Sequence, residues 1–86
     1  MVSRTVTPIK SKNGIEKRYE FGEVEVSQSD TVTPNGFDSA VNLLNFVLWK
    51  KSDGSEMTST IALNVATVTE AGTNVDCLYL AWGYKA

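Results

Sequence analysis

The sequence contains no histidine and a single cysteine, Cys77. Without histidine the chain cannot build a Ser-His-Asp or Cys-His catalytic arrangement, nor a histidine-ligated zinc or haem site. One thiol supplies neither an internal disulfide nor a thiolate zinc site. Carboxylates, hydroxyls and lysines are the groups left for chemistry. We therefore expect a protein that is not an enzyme, with no catalytic residue, no cofactor and no metal.

Long hydrophobic runs and basic clusters are also missing. The longest wholly apolar run, Cys77 to Trp82, has six residues, whereas a membrane-spanning helix needs about 20. The first fourteen residues contain no apolar segment typical of a secretory signal. Ten acidic and eight basic residues give a net charge of −2, and the basic residues are too scattered for a nucleic-acid footprint. We expect no nucleic-acid partner, no membrane partner and synthesis in a cytoplasm.

What the chain does contain is enough apolar material for one packed domain. Hydrophobic residues make up 42% of 86 residues, which argues against wholesale disorder. A chain of this size buries only about 60–65% of its unfolded surface on folding. We predict a single domain over residues 1–86, with residues 1–14 as a candidate extended N-terminal arm.

Turn signals divide the chain into short segments rich in Val, Thr, Ile, Tyr and Phe. The signals are Asn13-Gly14, Pro34–Gly36, Ser52–Gly54 and Glu70–Asn74, where Gly and Asn tolerate the positive φ of tight turns. Short β-branched segments between such turns are typical of β-sheet proteins. We predict an all-β fold, a small antiparallel β-sandwich or barrel of six to eight short strands.

The segment around Gly22 fits one strand in which the alternation of apolar residues shifts by one position at Gly22. Tyr19 and Phe21 share one parity, whereas Val24 and Val26 share the other. A β-bulge at Gly22 would restore a single apolar face, because glycine adopts bulge dihedrals at little cost. The alternative is a strand that crosses between the two sheets of a sandwich.

Residues 40–51, AVNLLNFVLWKK, fit two patterns. Five apolar residues fall at helical spacing, with Asp38 or Ser39 as N-cap and two lysines in the last turn. Read as a strand, the same residues place apolar side chains on both faces, which is typical of a central strand. We predict a strand, because the flanking segments are short, Thr/Val-rich and bounded by turns. The following β-branched region contains either a turn at Asn64, between strands 58–63 and 65–69, or a second bulge there.

The segment Val75–Ala86, VDCLYLAWGYKA, alternates with apolar residues on both faces. Such a strand must be covered on both sides. A small domain covers one face with its own core, so the second face calls for a partner subunit. We therefore expect a homo-oligomer. The candidate interface residues are Trp82, Tyr84, Leu80, Leu78 and Trp49.

Two acidic residues, Glu23 and Glu25, lie two positions apart in a strand segment. Their side chains would share one face about 6.5–7 Å apart, a separation that an acid/base pair can use. The preferred interpretation is a solvated strand face behind which Val24 and Val26 are buried. We therefore do not assign them a catalytic role.

Three segments carry a resemblance to a group of known proteins: GEVEVSQSDTV (22–32), VTEAG (68–72) and YLAWGY (79–84). In these segments the chain resembles small uncharacterised β proteins encoded among the structural genes of phages and other viruses. The resemblance implies a virion accessory protein that decorates or cements a capsid, with a major capsid protein as partner and the virion as location. It brings no catalytic residues.

Two classes of function therefore remain. The first is a structural subunit that assembles with itself and binds a larger lattice such as a capsid. The second is a small ligand-binding module, in which exposed aromatics stack on a carbohydrate. A stable oligomer would favour the first class, and a monomer whose tryptophan fluorescence is quenched by sugar would favour the second.

Overall fold

The fold is that of a computed structural model, which describes residues 2–13, 17–35, 37 and 42–85; the side chains at 11–13, 17, 18, 42–44, 84 and 85 lie outside this description. All regular structure in the described residues is β. The strands are β1 (Ser3–Arg4), β2 (Thr7–Asn13), β3 (Lys17–Val26), β4 (Thr31–Val32), β5 (Asn42–Lys50), β6 (Ser59–Ala62), β7 (Val65–Val68) and β8 (Val75–Lys85).

The strands form two four-stranded sheets. The long sheet has the order β2-β3-β8-β5, and all its pairs are antiparallel. The short sheet has the order β1-β4-β7-β6, with one parallel pair, β1–β4. The sheets are not closed into a barrel, and a sandwich arrangement fits them. The predicted all-β class is therefore confirmed.

The core lies between the sheets, because successive side chains of a strand point to opposite faces. Alternate residues of β3, β5 and β8 face inward and meet the short sheet, and their burial drives the packing. The buried apolar residues are Val6, Val24, Val26, Val32, Phe37, Phe46, Leu48, Met57, Ala66, Val68, Cys77, Tyr79 and Ala81. Cys77 is thus a small buried hydrophobe with a free thiol.

The predicted bulge or sheet crossing at Gly22 is wrong. β3 pairs with β8 without interruption over its whole length, and Gly22 does not have a positive φ. The apparent phase break vanishes because Glu20 and Gly22 lie on the buried face with Val24, whereas Tyr19 lies on the opposite face. The irregularity is on the edge strand β2, where the register with β3 shifts between Pro8 and Lys10.

Glycine is needed at position 22 for a different reason, the close approach of its neighbours. A Cβ built on Gly22 would lie 2.8 Å from Tyr79 Cε1 and 2.9 Å from Pro8 Cα, and it would also overlap Thr7 O. Two of these three atoms belong to backbone and cannot move away cheaply. Gly22 therefore allows β2 and the ring of Tyr79 to pack against the middle of β3.

The segment with two possible readings, residues 40–51, is a strand over Asn42–Lys50. The helix is excluded there, while residues 38–41, including its proposed N-caps, lie outside the described residues. Of the two alternatives at Asn64, the turn between two short strands is the one present, because Leu63 and Asn64 connect β6 to β7. Leu63 adopts a φ of 56° in this turn. Within the proposed arm, β1 pairs in the short sheet and β2 in the long one.

Candidate interaction surface

The side of the long sheet that faces away from the short sheet, here called the outer face, is apolar at its centre. Cross-strand pairing places Tyr19 beside Trp82, and Phe21 beside Leu80. Leu80 in turn lies beside β5. Seven apolar side chains of the described residues form this patch on three adjacent strands: Tyr19, Phe21, Val47, Trp49, Leu78, Leu80 and Trp82.

Every side chain of this patch remains partly open to solvent. Tyr19 and Trp82 are 37% and 39% exposed, and the other five are half-buried. On the inner face of the same strands, Leu48 and Tyr79 are fully buried. The short sheet covers one side of the long sheet, and no described residue covers the other side to the same degree.

The structure brings together four of the five candidate interface residues, Trp82, Leu80, Leu78 and Trp49. The backbone of Tyr84 pairs within β8 at the end of the same sheet, but its side chain lies outside the description. Sequence reasoning missed Tyr19, Phe21 and Val47 as members of this surface. The signal was present, because an unbroken alternation in β3 puts Tyr19 and Phe21 on the outer face.

A polar hollow of about 310 Å³ adjoins the apolar patch at one end of the outer face. It is lined by Thr5, Thr7, Glu23, Val24, Glu25, Lys51, Asp76 and Cys77. Glu23 forms an ion pair with Lys51, and Glu25 pairs with Arg4 at 3.3 Å. The hydrogen bond with Glu23 raises the pKa of Lys51.

Glu23 and Glu25 share the outward side of β3, with Val24 and Val26 buried behind them, as the sequence indicated. Each of these two carboxylates has a cationic partner, Lys51 for Glu23 and Arg4 for Glu25. Among the described residues, no group of three or more Cys, Asp or Glu side chains is arranged to hold a metal ion.

A second polar feature, the pair Tyr79 and Glu20, lies inside the core. The Tyr79 hydroxyl donates a hydrogen bond to Glu20 Oε2, which also accepts one from the Asn35 N–H at 3.1 Å. Burial raises the pKa of Tyr79, and the contact with Glu20 raises it further. Both side chains are closed to solvent, at 0% and 2% exposure. The pair therefore ties the loop at Asn35 to the core and offers no access to a substrate.

Arg4 joins the turns at one end of the sandwich. Its guanidinium donates hydrogen bonds to Asp30 at 2.5 Å, Ser27 Oγ at 3.1 Å and Asn74 Oδ1 at 3.0 Å. Burial by itself would raise the pKa of Asp30, but the Ser27 N–H bond and Arg4 lower it overall. These contacts connect β1 to the β3–β4 and β7–β8 connections, so they serve the fold.

The two edge strands of the long sheet, β2 and β5, are protected against pairing with a further strand. On β2, Pro8 cannot donate to a new strand and the register shift disrupts the edge. On β5, the Lys50 N–H bonds Ser55 O at 2.9 Å, and Leu48 O accepts from the Met57 N–H at 2.8 Å. These features favour association through the face over strand addition at an edge.

Together these features define a two-sheet β-sandwich with one open apolar sheet face. Comparisons with protein-family models, with curated proteins and with solved structures found no match. Within the described part of the chain, no helix has the length and apolar character needed to cross a membrane.

Proposed function

We propose that this protein is a non-enzymatic structural subunit that assembles through the outer face of its long sheet. The observation that carries the proposal is the contiguous patch of seven apolar side chains on β3, β8 and β5, none of which is fully buried. Aromatic side chains of this kind are enriched at the energetic centres of protein interfaces.

The size of the patch is compatible with this role. Three strands about 4.8 Å apart and three rows of outward side chains about 6.7 Å apart span roughly 300 Å². Seven of these nine positions are apolar, and the other two are Asn45 and Glu23. The largest apolar patch on a soluble monomer is typically about 300–600 Å² and is often functional. Burial of this patch against another protein surface would remove it from water, at about 25 cal/mol per Å².

The biological setting that we propose is a virion, in which the protein decorates or cements a capsid and contacts the major capsid protein. Its support is the resemblance carried by residues 22–32, 68–72 and 79–84. Two of these segments include parts of β3 and β8, the strands that form the middle of the long sheet.

The experiment that tests assembly is size-exclusion chromatography with light scattering on purified protein. We expect an oligomer for the wild type and a folded monomer for the double variant Leu80→Thr, Trp82→Thr. The matched control is Ile61→Thr, which removes a 42% exposed apolar side chain from the short sheet and should leave the oligomer intact. A wild type that is monomeric at about 100 µM, far above the Kd of a specific assembly, would contradict the proposal.

A second candidate, carbohydrate binding, is favoured by one observation. Tyr19 and Trp82 are paired directly across β3 and β8, and both are more than a third exposed. Adjacent aromatic rings on a sheet face can stack against the apolar side of a sugar. This function predicts a monomer whose tryptophan fluorescence changes on titration with oligosaccharides, a response that Trp82→Thr abolishes.

A further inference from the structure

One row of outward side chains crosses three strands of the long sheet, from Tyr19 through Trp82 to Asn45. The backbone register places Tyr19 opposite Trp82 and Trp82 opposite Asn45. Asn45 precedes the buried Phe46 and therefore points to the outer face, where it is exposed. The Cβ atoms of such cross-strand neighbours lie about 5 Å apart, so two aromatic rings and one amide form a continuous strip, here called the aromatic–amide row.

The aromatic–amide row is the part of the outer face most suited to a small ligand. Tyr19 and Trp82, at 37% and 39%, are the most exposed of the seven apolar side chains of the patch. Within the described residues, the Asn45 amide has no hydrogen-bond partner, and an amide both donates and accepts. Ligand sites combine aromatic surfaces with a few polar groups that fix the orientation of the ligand. The row supplies both.

The ligand that matches these groups is a neutral sugar chain with equatorial hydroxyls. A pyranose ring of this kind has an apolar C–H surface that stacks on an aromatic ring, and its neighbouring hydroxyls fit the donor and acceptor of an amide. The strand spacing of about 4.8 Å is close to the length of one unit in an extended, cellulose-type chain. No carboxylate, ammonium or guanidinium group is among the three side chains of the row, so they offer an acidic sugar no ion pair.

We propose that the aromatic–amide row binds a neutral β-linked oligosaccharide that runs across the strands. Consecutive pyranose units stack on Tyr19 and Trp82, and hydroxyls of the next unit bond to Asn45. This inference rests on the second candidate function, carbohydrate binding, and it specifies the ligand class, its direction and its polar contact. Trp82 also belongs to the surface proposed for assembly, so the sugar and a protein that covers Trp82 exclude each other.

Isothermal titration calorimetry with cellopentaose and maltopentaose tests the proposal. Both are neutral chains of glucose, but only the β-linked cellopentaose keeps its rings along a straight line. We expect it to bind about tenfold more tightly than maltopentaose, or better. Asn45→Ala should weaken the binding of cellopentaose about fivefold to tenfold, because it removes hydrogen bonds to the sugar. Trp82→Thr should abolish binding.

Two control variants lie outside the row. Gln28→Ala removes an exposed amide from the turn between β3 and β4 and should leave the affinity unchanged. Trp49 lies beside Leu78, about 13 Å along β8 from Trp82. Trp49→Phe should therefore bind cellopentaose normally, and it leaves Trp82 as the only tryptophan, so that a change in fluorescence on binding comes from the row.

The outcomes separate this inference from the function on which it rests. A wild type that binds neither sugar at up to about 5 mM overturns both the inference and the carbohydrate candidate. Equal affinity for the two sugars, or an Asn45→Ala variant that binds as well as Gln28→Ala, overturns the inference and leaves the carbohydrate candidate standing. If Trp82→Thr does not fold by circular dichroism, Tyr19→Thr carries the same comparison.

Discussion

The two faces of the long sheet carry similar apolar side chains but have different surroundings. The inner face holds Leu48 and Tyr79 at 0% exposure, whereas the outer face leaves Trp82 at 39%. The strands are the same, so the difference arises from what covers them: the short sheet lies on one side only. Hydrophobicity along a strand therefore indicates which residues are stabilised by burial, and the arrangement of the two sheets decides which of them are buried.

The two faces also differ in the burial and the bonding partners of their polar groups. Inside, Glu20 is 2% exposed and hydrogen-bonded to Tyr79 and to the Asn35 backbone. Outside, Glu23 and Glu25 form ion pairs at the rim, with side chains 43% and 50% exposed. The inner polar groups fix one packing arrangement, because an unsatisfied buried group is costly. The outer carboxylates are ion-paired but exposed, so they can also contact another protein.

The largest difference in the free energy of unfolding is expected between substitutions of two leucines, one on each face. Leu48→Ala removes a fully buried side chain and should lower the free energy of unfolding by about 3–4 kcal/mol. Leu80→Ala removes a half-buried one and should cost about 1 kcal/mol at protein concentrations too low for association. Urea unfolding followed by circular dichroism measures both. Equal losses would mean that the two faces are covered to the same degree.

Gly22 tests the close packing of the inner face. Gly22→Ala should lower the free energy of unfolding by about 3 kcal/mol, because the new Cβ meets backbone atoms of β2. Gly72→Ala is the control. Its Cβ would lie 3.0 Å from Val75 Cγ2 and 3.1 Å from Met57 Cε, which are side-chain ends that can shift. A loss at Gly22 no greater than at Gly72 would contradict the steric role assigned to this glycine.

Removal of one tyrosine hydroxyl from each face should give a smaller difference in the free energy of unfolding. Tyr79→Phe removes the donor to Glu20 inside the core and should destabilise the fold by about 2 kcal/mol. Tyr19→Phe removes a hydroxyl from the outer face and should change stability by less than about 0.5 kcal/mol. Thermal and urea unfolding of both variants tests the difference. The interpretation fails if the two substitutions have the same effect.

The smallest expected effect is on the pH dependence of stability, and it arises from Tyr79 on the inner face. Because the folded-state pKa of Tyr79 lies above the ordinary value of 10.0, the folded protein holds this proton more tightly than the unfolded chain. The contribution is fully present below pH 10.0 and is lost as the pH rises above it. Stability measured across this range should fall less steeply in Tyr79→Phe than in the wild type, and parallel slopes would contradict the assignment.

Some features of this protein follow from local sequence. A strand within residues 40–51 was correctly predicted, and of the two alternatives considered at Asn64, a turn or a bulge, the structure has the turn. The alternation of Leu78, Leu80 and Trp82 against Cys77 and Tyr79 was also correct. Each depends on a period of two residues or on the backbone preferences of a short turn, both of which are properties of neighbouring residues.

Other features were outside the reach of the sequence. Parity separated Tyr19 from Val24 but could not say that Glu20 would be buried. The break in phase was therefore assigned to a bulge or a sheet crossing at Gly22, and β3 shows neither in its pairing with β8. The partner of Glu20, Tyr79, lies 59 positions away in the chain. The reason for Gly22 also lies in other strands, in Thr7, Pro8 and Tyr79.

The sequence by itself determined that this chain forms β-strands, where several of them turn, and which side chains of β8 share a face. It did so because these properties depend on residues within a few positions of one another. The tertiary structure decided which face the short sheet covers, why position 22 must lack a side chain, and how Glu20 is accommodated. Those outcomes depend on strands far apart in the chain that meet only after the two sheets pack together.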